Sequence, residues 1–143
     1  MLYSIFNLNE IGKFCKFFLT VICSSVIFSP KKTLLIDADL RKPVLHKMFK
    51  PNHNLGLTNY LSGSEKNINN LIVDTDVNNL KVITSGIVPP NPSEMLASDY
   101  MDAFIEQITK DFDIILFDTP PLIAVTDAFV ITKFVDKFLL VIR

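Results

Sequence analysis

Short apolar runs, each closed by polar or turn-forming residues, recur along the chain after residue 30. Four of them predict buried strands: Leu34–Ile36, Leu80–Thr84, Ile114–Phe117 and Phe138–Ile142. The stretches between these runs carry apolar residues at helical spacing. Strands that alternate with helices indicate an α/β fold, in which a mostly parallel sheet is flanked by helices and the crossovers are right-handed.

The longest helical pattern runs from Glu94 to Phe112, and Ser93 in front of it is expected to cap the helix. Its apolar positions would face the sheet, while its charged positions would face solvent: Asp99, Asp102, Glu106 and Lys110. Shorter helices are predicted at 44–49, 57–61, 68–72 and 127–135.

Bulk composition limits the classes of function. A chain of 143 residues with 49% hydrophobic and 20% charged residues is expected to form one globular domain. Its formal net charge of −1 provides no basic surface for nucleic acid, so a nucleic-acid partner is not expected. Candidate chemistry must therefore come from particular residues.

Acidic residues follow two of the predicted strands. Asp37 and Asp39 come directly after the first strand, with Arg41 two residues further on, and Asp118 closes the strand that begins at Ile114. In an open α/β sheet ligands bind beyond the carboxyl ends of the strands, and carboxylates there suit Mg²⁺. Solvated acids with a local ion pair are the alternative for the first motif alone, because Asp-x-Asp is short.

The two acidic strand ends are more informative together than apart. If both strands are parallel neighbours, Asp37 and Asp118 share one metal site, with their carboxylates within about 8 Å of each other. The chain also resembles a known family, the bacterial tyrosine kinases of capsule and exopolysaccharide biosynthesis. Their second and third nucleotide motifs are similar to Leu34–Pro43 and Ile114–Pro121. Those kinases belong to the deviant-Walker P-loop ATPases. Three further segments are similar to that family, in the same order: Asn54–Gly63, Thr84–Glu94 and Val125–Ala128.

This resemblance covers about residues 31–143 and implies an incomplete P-loop-NTPase-like domain with ATP and Mg²⁺ as cofactors. By resemblance, Asp37 would orient the metal and help to deprotonate the attacking tyrosine hydroxyl, and Asp39 would support the metal's water shell. Asp118 would hold the metal from the opposite strand. Arg41 would fix the acidic turn, and it joins Asp37 and Asp118 as the implied cofactor-binding residues.

The family's phosphate-binding loop, G-x-x-x-x-G-K-[ST], has no intact counterpart. In the nearest match, Asn7–Phe14, Gly12 and Lys13 are present, but Asn7 replaces the first glycine and Phe14 replaces the hydroxyl residue. We therefore divide the chain into a divergent segment, 1–30, and a partial nucleotide-binding domain, 31–143, and expect it to be inactive alone. A frameshift or a misplaced start codon is our hypothesis for the divergent segment.

The apolar run Phe14–Phe28, which follows Lys13, has two interpretations. It has the charged and apolar regions of a signal peptide, although it is too short for an ordinary membrane span. We favour a buried helix packed on the sheet, because secretion would separate an ATP-type site from its nucleotide. Cys15 and Cys23 have no nearby Cys or His partner, which favours a reducing cytoplasm.

The family also implies partners and a location. A transmembrane activator or polysaccharide chain-length protein, a homo-oligomer and protein tyrosine substrates are expected. The chain would be cytoplasmic and peripheral at the inner face of the membrane through its partner. Alternatives are a partitioning-type deviant-Walker ATPase and a non-catalytic module that binds the membrane activator. A sugar-nucleotide transferase that uses Asp37 and Asp39 for a metal is disfavoured by the second acidic strand, which ends at Asp118.

Overall fold

A computed structural model describes residues 2–7, 30–120 and 127–141 of the chain. The helix predicted for Phe14–Phe28 lies outside these ranges, as does the interpretation of Gly12 and Lys13. Within the described ranges, no helix has the length and apolar character needed to cross a membrane.

A six-stranded sheet forms the centre of the molecule. Its strands are β1 (Leu2–Asn7), β2 (Thr33–Asp37), β3 (Ile72–Asp74), β4 (Leu80–Ile83), β5 (Ile114–Thr119) and β6 (Lys137–Val141). They lie in the order β3-β4-β2-β5-β1-β6, and only β3, which pairs with β4, runs antiparallel. The four predicted strands are β2, β4, β5 and β6, and the parallel α/β architecture is confirmed.

Helices lie in the connections β2–β3, β4–β5 and β5–β6. They are α1 (Leu45–Phe49), α2 (Leu57–Leu61), α3 (Pro92–Leu96), α4 (Asp99–Asp111) and α5 (Asp127–Ile131), and 3₁₀ turns form at Ile68–Asn70 and Thr132–Phe134. The acidic residues Asp99 and Asp102 lie in the first turn of α4 and Lys110 in its last, as the helix dipole favours. The four charged residues that were predicted to face solvent on this helix are exposed.

Alternating side chains of the strands pack into two clusters, one on each face of the sheet. Leu34 and Ile36 belong to the larger cluster, which includes Phe104 of α4, whereas Leu35 between them belongs to the smaller cluster with Leu45 of α1. On β5, Ile115 and Phe117 likewise face the larger cluster and Leu116 the smaller one. Because both faces are covered, the central strands read as unbroken apolar runs in the sequence.

Some predicted elements differ from the structure. The predicted helix 94–112 is two helices, because Ser98 adopts an extended conformation (φ −76°, ψ 158°) between α3 and α4. Ser93 lies inside α3 and does not cap it, since Pro92 begins that helix. The predicted helix at 68–72 is a 3₁₀ turn followed by β3, and Phe138 of the predicted buried strand β6 is 51% exposed.

Candidate active site

Asp37 is a fully buried carboxylate at the carboxyl end of the central strand β2. Its Oδ2 accepts hydrogen bonds from the backbone N–H groups of Val44 (3.1 Å) and Leu45 (3.0 Å), at the start of α1. Its Oδ1 is buried and has no hydrogen-bond partner. A buried polar oxygen without a partner is costly, and such an atom is a candidate for binding a ligand.

Asp118 lies on β5 directly beside Asp37, and the two residues are register partners in adjacent parallel strands. Leu35 and Leu116, two positions earlier on each strand, face the same cluster, so both acids point to that face of the sheet. The structure therefore brings together the two acids that the sequence predicted to share a site. Adjacent strands are about 4.8 Å apart, which is within the reach of one hydrated cation.

Burial and charge repulsion act on the pKa of Asp37 in the same direction. Burial is the largest cause, the neighbouring Asp118 is the next, and Asp39 adds a smaller contribution; together they raise the pKa from 3.8 to about 7. The hydrogen bonds from Leu45 and Val44 oppose this rise, because they favour the ionised form. A cation between the two acids would relieve the same repulsion.

Asp39 has a different environment from Asp37, although only one residue separates them. It is 8% exposed, and its Oδ1 accepts hydrogen bonds from the backbone N–H groups of Arg41 (3.2 Å) and Lys42 (2.9 Å). These bonds close the turn that follows β2. Asp39 therefore fixes the acidic turn with its own side chain, a role that the sequence analysis gave to Arg41.

The Arg41 side chain extends over the surface. Its Nη2 lies 3.4 Å from Oγ of Ser93, in the first turn of α3. The structure thus connects the acidic turn with the first turn of α3 through an arginine.

The carboxyl set fits a hydrated Mg²⁺ and not a closed metal cage. Among residues 2–7, 30–120 and 127–141 there is no group of three or more His, Cys, Asp or Glu side chains arranged to hold a metal. Mg²⁺ commonly binds through one or two carboxylates and completes its octahedron with waters and substrate phosphates. Asp37 with its free oxygen and the adjacent Asp118 meet that requirement.

The strand β1 brings the start of the chain to the same edge of the sheet. It lies between β5 and β6, parallel to both, with Ile5 in register with Asp118 and Phe6 with Thr119. Because β1 ends at Asn7, the chain leaves the sheet beside the acidic pair. The near-match to a phosphate loop, Asn7–Phe14, begins at this point. This strand was not among those predicted from the sequence.

A close crossing of two loops borders the site and was also missed. The backbone N–H groups of Leu57 and Thr58 donate to the carbonyl oxygens of Thr84 (2.8 Å) and Ser85 (2.9 Å), at the end of β4. A Cβ on Gly56 would lie 2.2 Å from the backbone nitrogen of Gly86, so only glycine fits at position 56. The sequence contained a signal for this crossing, because Gly56 and Gly86 each lie in a segment that resembles the kinase family.

Comparison with known proteins is consistent with this geometry. A family model described as an AAA domain matches residues 12–142. The match begins at Gly12, so the expectation that the likeness is confined to the chain after about Lys31 is wrong. Tyrosine-protein kinase ptk of Acinetobacter johnsonii is 39% identical over 134 residues, which are 94% of this chain and 18% of the relative.

A shorter relative gives the same result. Tyrosine-protein kinase CpsD of Streptococcus agalactiae serotype III (strain NEM316) is 47% identical over 111 residues, which cover 77% of this chain and 47% of the relative. The chain thus spans less than half the length of both curated relatives.

Solved structures agree on the fold. The kinase domain of the Escherichia coli tyrosine kinase ETK superposes with a TM-score of 0.88 at 36% identity, over 99% of this chain and 55% of that one. The septum site-determining protein MinD of Pyrococcus horikoshii, with a TM-score of 0.70 and 21% identity over 99% of this chain and 58% of that one, shares the fold. The chain belongs to the AAA-domain family, and its relatives and solved neighbours include bacterial tyrosine-protein kinases.

Proposed function

We propose that this chain is a partial catalytic domain of an ATP-dependent protein-tyrosine kinase that acts in capsular or exopolysaccharide biosynthesis. The observation that carries the proposal is the acidic pair, in which Asp37 and Asp118 lie side by side with one buried carboxylate oxygen unpartnered. Similarity to the tyrosine-protein kinases supports the class of reaction that we propose, which is transfer of the γ-phosphoryl group of ATP to tyrosine hydroxyls.

In this proposal Asp37 has two roles. Asp37 and Asp118 would hold Mg²⁺ from adjacent strands, and Asp37 would also accept the proton of the attacking tyrosine hydroxyl. Asp39 keeps the turn after β2 closed and would thereby help to position the waters around the metal. The side chain of Arg41, which reaches the first turn of α3, contributes positive charge to nucleotide binding. When bound, Mg²⁺ supplies neutralisation of the phosphate charge, the main requirement of phosphoryl transfer.

The phosphate loop is the missing part of this machinery. Asn7 and Phe14 stand where the loop pattern requires glycine and a hydroxyl residue. Each backbone contact to a phosphate that is lost costs roughly 1.5–3 kcal/mol, because it is a charge-assisted hydrogen bond. We therefore expect the isolated chain to bind ATP·Mg²⁺ more weakly than micromolar and not to phosphorylate itself.

Restoring the loop tests the proposal in this chain. The double substitution Asn7→Gly and Phe14→Thr completes the pattern G-x-x-x-x-G-K-T, and calorimetric titration should show ATP·Mg²⁺ binding at least about tenfold tighter for each contact regained. Adding Asp37→Asn to this double variant should abolish the increase in ATP·Mg²⁺ affinity. Phe14→Ala alone should not increase the affinity. Micromolar binding by the unmodified chain would contradict the expected loss of affinity, and no gain after restoration would contradict the proposal.

Two other functions remain as alternatives within the same fold. A partitioning-type ATPase would use the same acidic pair to hydrolyse ATP, whereas a non-catalytic module would bind a membrane activator without turnover. Labelled ATP separates them in the loop-restored variant: a kinase leaves label on protein tyrosine, an ATPase releases it as inorganic phosphate, and a module does neither.

The partners follow from the same proposal. A kinase of this class would work with a transmembrane activator or polysaccharide chain-length protein, associate with copies of itself and phosphorylate protein tyrosines. It would then be cytoplasmic and held at the inner face of the membrane through that partner. Co-purification with the activator's cytoplasmic segment tests this placement.

A further inference from the structure

We propose that Pro43 is a positioning residue for the carboxylates of Asp37 and Asp39, and that it keeps one oxygen of each available to a cation. The proposal deepens the proposed function, since it rests on a cation site at these acids. Its own support is the way in which the segment of residues 41–45 divides its backbone N–H groups between the two side chains.

The two carboxylates accept every backbone N–H group of residues 41–45. The N–H groups of residues 41 and 42 donate to Oδ1 of Asp39 (3.2 and 2.9 Å), and those of residues 44 and 45 donate to Oδ2 of Asp37 (3.1 and 3.0 Å). Position 43 contributes none, because proline has no N–H. The acids thus hold the segment through two pairs of donors, one on each side of Pro43.

The oxygens that hold the segment have no further capacity to accept hydrogen bonds. A carboxylate has about four lone-pair sites on its two oxygens, so two donors saturate one oxygen. A residue other than proline at position 43 would bring a fifth N–H into the segment. The carboxylate oxygens left to accept it would be the unused ones of Asp37 and Asp39, and the new donor would compete with a cation for them. Proline removes this competitor.

The unused oxygens of the two acids are the ones that a cation can reach. Oδ1 of Asp37 is buried and has no hydrogen-bond partner. Oδ2 of Asp39 accepts no hydrogen bond from the residues that the structure describes, and Asp39 is 8% exposed. The segment therefore occupies one oxygen of each acid and leaves the other for a ligand.

Pro43 also fixes how the two donor pairs are oriented relative to each other. Its ring holds φ at about −65° and disfavours the helical conformation in Lys42 before it. Helix α1 begins at Leu45 after Val44 as the N-cap, and the valine side chain makes no capping hydrogen bond. Asp37 provides this cap instead, because its Oδ2 accepts from the N–H groups of both residues.

The hydrophobic core holds the start of α1 on the sheet. Leu45 is fully buried in the smaller cluster, which also contains Leu35 of β2, two positions before Asp37. Pro43 joins this fixed point to the turn that Asp39 closes. A less rigid residue at position 43 would let the two donor pairs move independently, and the two carboxylates would move with them.

Pro51 provides a matched control in the same part of the chain. It follows α1 and its C-cap Lys50, and both prolines are partly exposed. Lys50 donates its backbone N–H to the carbonyl oxygen of His46 (3.1 Å), and in the described ranges neither neighbour of Pro51 donates its N–H to a carboxylate. Replacing either proline by alanine releases one fixed φ, so both changes act alike on the unfolded chain.

The test compares Pro43→Ala with Pro51→Ala in the full chain, with Mn²⁺ as the probe. Mn²⁺ is titrated into each ¹⁵N-labelled protein at pH 8, and broadening of the Ala38 and Thr119 amide signals is followed by NMR. Pro43→Ala should need at least about tenfold more Mn²⁺ for half-maximal broadening, a loss typical of residues that orient a metal ligand. Pro51→Ala should match the unmodified chain.

Hydrogen exchange separates positioning from a general loss of stability. In Pro43→Ala the amides of residues 44 and 45 should exchange faster relative to the amide of Leu116 in the central strand β5. A general loss of stability would instead speed all three by the same factor. Unchanged Mn²⁺ binding in Pro43→Ala would overturn the proposal, and so would an equal loss of binding in Pro51→Ala.

The unmodified chain separates this proposal from the proposed function. If it binds no Mn²⁺, the cation site fails together with the role of Pro43. If it binds Mn²⁺ and Pro43→Ala binds equally well, only the role of Pro43 fails.

A measurement on the unmodified chain decides the matter even where the variant does not fold. Deuterium on the amides of residues 44 and 45 should shift the ¹³C signal of the Asp37 carboxyl group, and deuterium on those of residues 41 and 42 should shift that of Asp39. Absence of these isotope shifts would contradict the division of the N–H groups into two pairs around Pro43.

Discussion

The acids at the strand ends and the acids on helix α4 are the same residue types in opposite environments. Asp37 is fully buried, lies beside Asp118 and has one oxygen without a partner. On α4, Asp102 pairs with Lys133 at 3.2 Å, and Glu106 pairs with Lys110 at 3.3 Å, all with side chains about half or more exposed. The helix acids face solvent and cations of the protein itself, whereas Asp37 keeps one buried oxygen without a hydrogen-bond partner.

This difference shows where carboxylates are kept for a ligand. Placing the buried Asp37 beside a second acid destabilises the empty site, because burial and the neighbouring charge both disfavour ionisation of Asp37. A protein that needed only a solvated surface would gain nothing from this arrangement. The exposed acids of α4 contribute little to stability and are consistent with a purely structural role.

The largest expected effect is on the pH dependence of stability. The pKa of Asp37 is raised from 3.8 to about 7, so between these values the folded chain binds more protons than the unfolded chain. The contribution of Asp37 to the free energy of unfolding should therefore fall as pH rises from 4 to 7, by on the order of 4 kcal/mol, and stay low above pH 7. Denaturant unfolding of the chain and of Asp37→Asn at pH 4 and pH 8 measures this difference.

At pH 8 the Asp37→Asn variant should be more stable than the parent chain, because its amide is neutral and the NH₂ group can donate a hydrogen bond towards Asp118. Asp102→Asn is the control from α4, and its difference from the parent should change by less than about 1 kcal/mol over the same pH range. Equal pH dependence in the two variants would remove the distinction between the two sets of acids.

A smaller effect is expected at Asp39, whose side chain closes a turn. Asp39→Ala removes the acceptor for Arg41 N–H and Lys42 N–H and should cost about 1–2 kcal/mol, in the range of a lost helix cap. Asp39→Asn keeps an acceptor oxygen and should cost less than half of that. Equal losses in both variants would show that the charge, and not the turn, is what Asp39 provides.

The smallest effect is expected for the ion pair on α4. Glu106→Gln removes a pair with Lys110 four residues away and should lower the free energy of unfolding by about 0.3–0.5 kcal/mol. The loss should vanish in 1 M salt, because exposed charges are screened there. A loss above 1 kcal/mol in low salt would mean that the acids of α4 are not ordinary surface acids.

The sequence allowed the acidic edge to be predicted, because Asp37 and Asp118 both end runs of apolar residues that a two-sided parallel sheet requires. It did not reveal β1, since Leu2–Asn7 mixes polar and apolar residues, and the strand is defined by pairing with β5 and β6. The three-residue strand β3 likewise exists only through its antiparallel pairing with β4. Tertiary contacts decide such elements.

The functional residues show the same division. The crossing of Gly56 with Gly86 is a contact between segments thirty residues apart, which no local pattern predicts. The turn role of Asp39 was visible in principle, because aspartate often bonds to backbone N–H groups two or three residues on. That role was not predicted, because Asp37-Ala38-Asp39 was interpreted as a metal-binding motif.

The most direct test of the central claim is whether one divalent cation binds between Asp37 and Asp118. Paramagnetic Mn²⁺ can be added to the ¹⁵N-labelled chain at pH 8, where Asp37 is ionised, and line broadening followed by NMR. The amides of Ala38, Leu45 and Thr119 should broaden at the lowest Mn²⁺ concentration, and either Asp37→Asn or Asp118→Asn alone should abolish that broadening. Broadening that survives in either variant, or that is strongest along α4, would contradict a shared site.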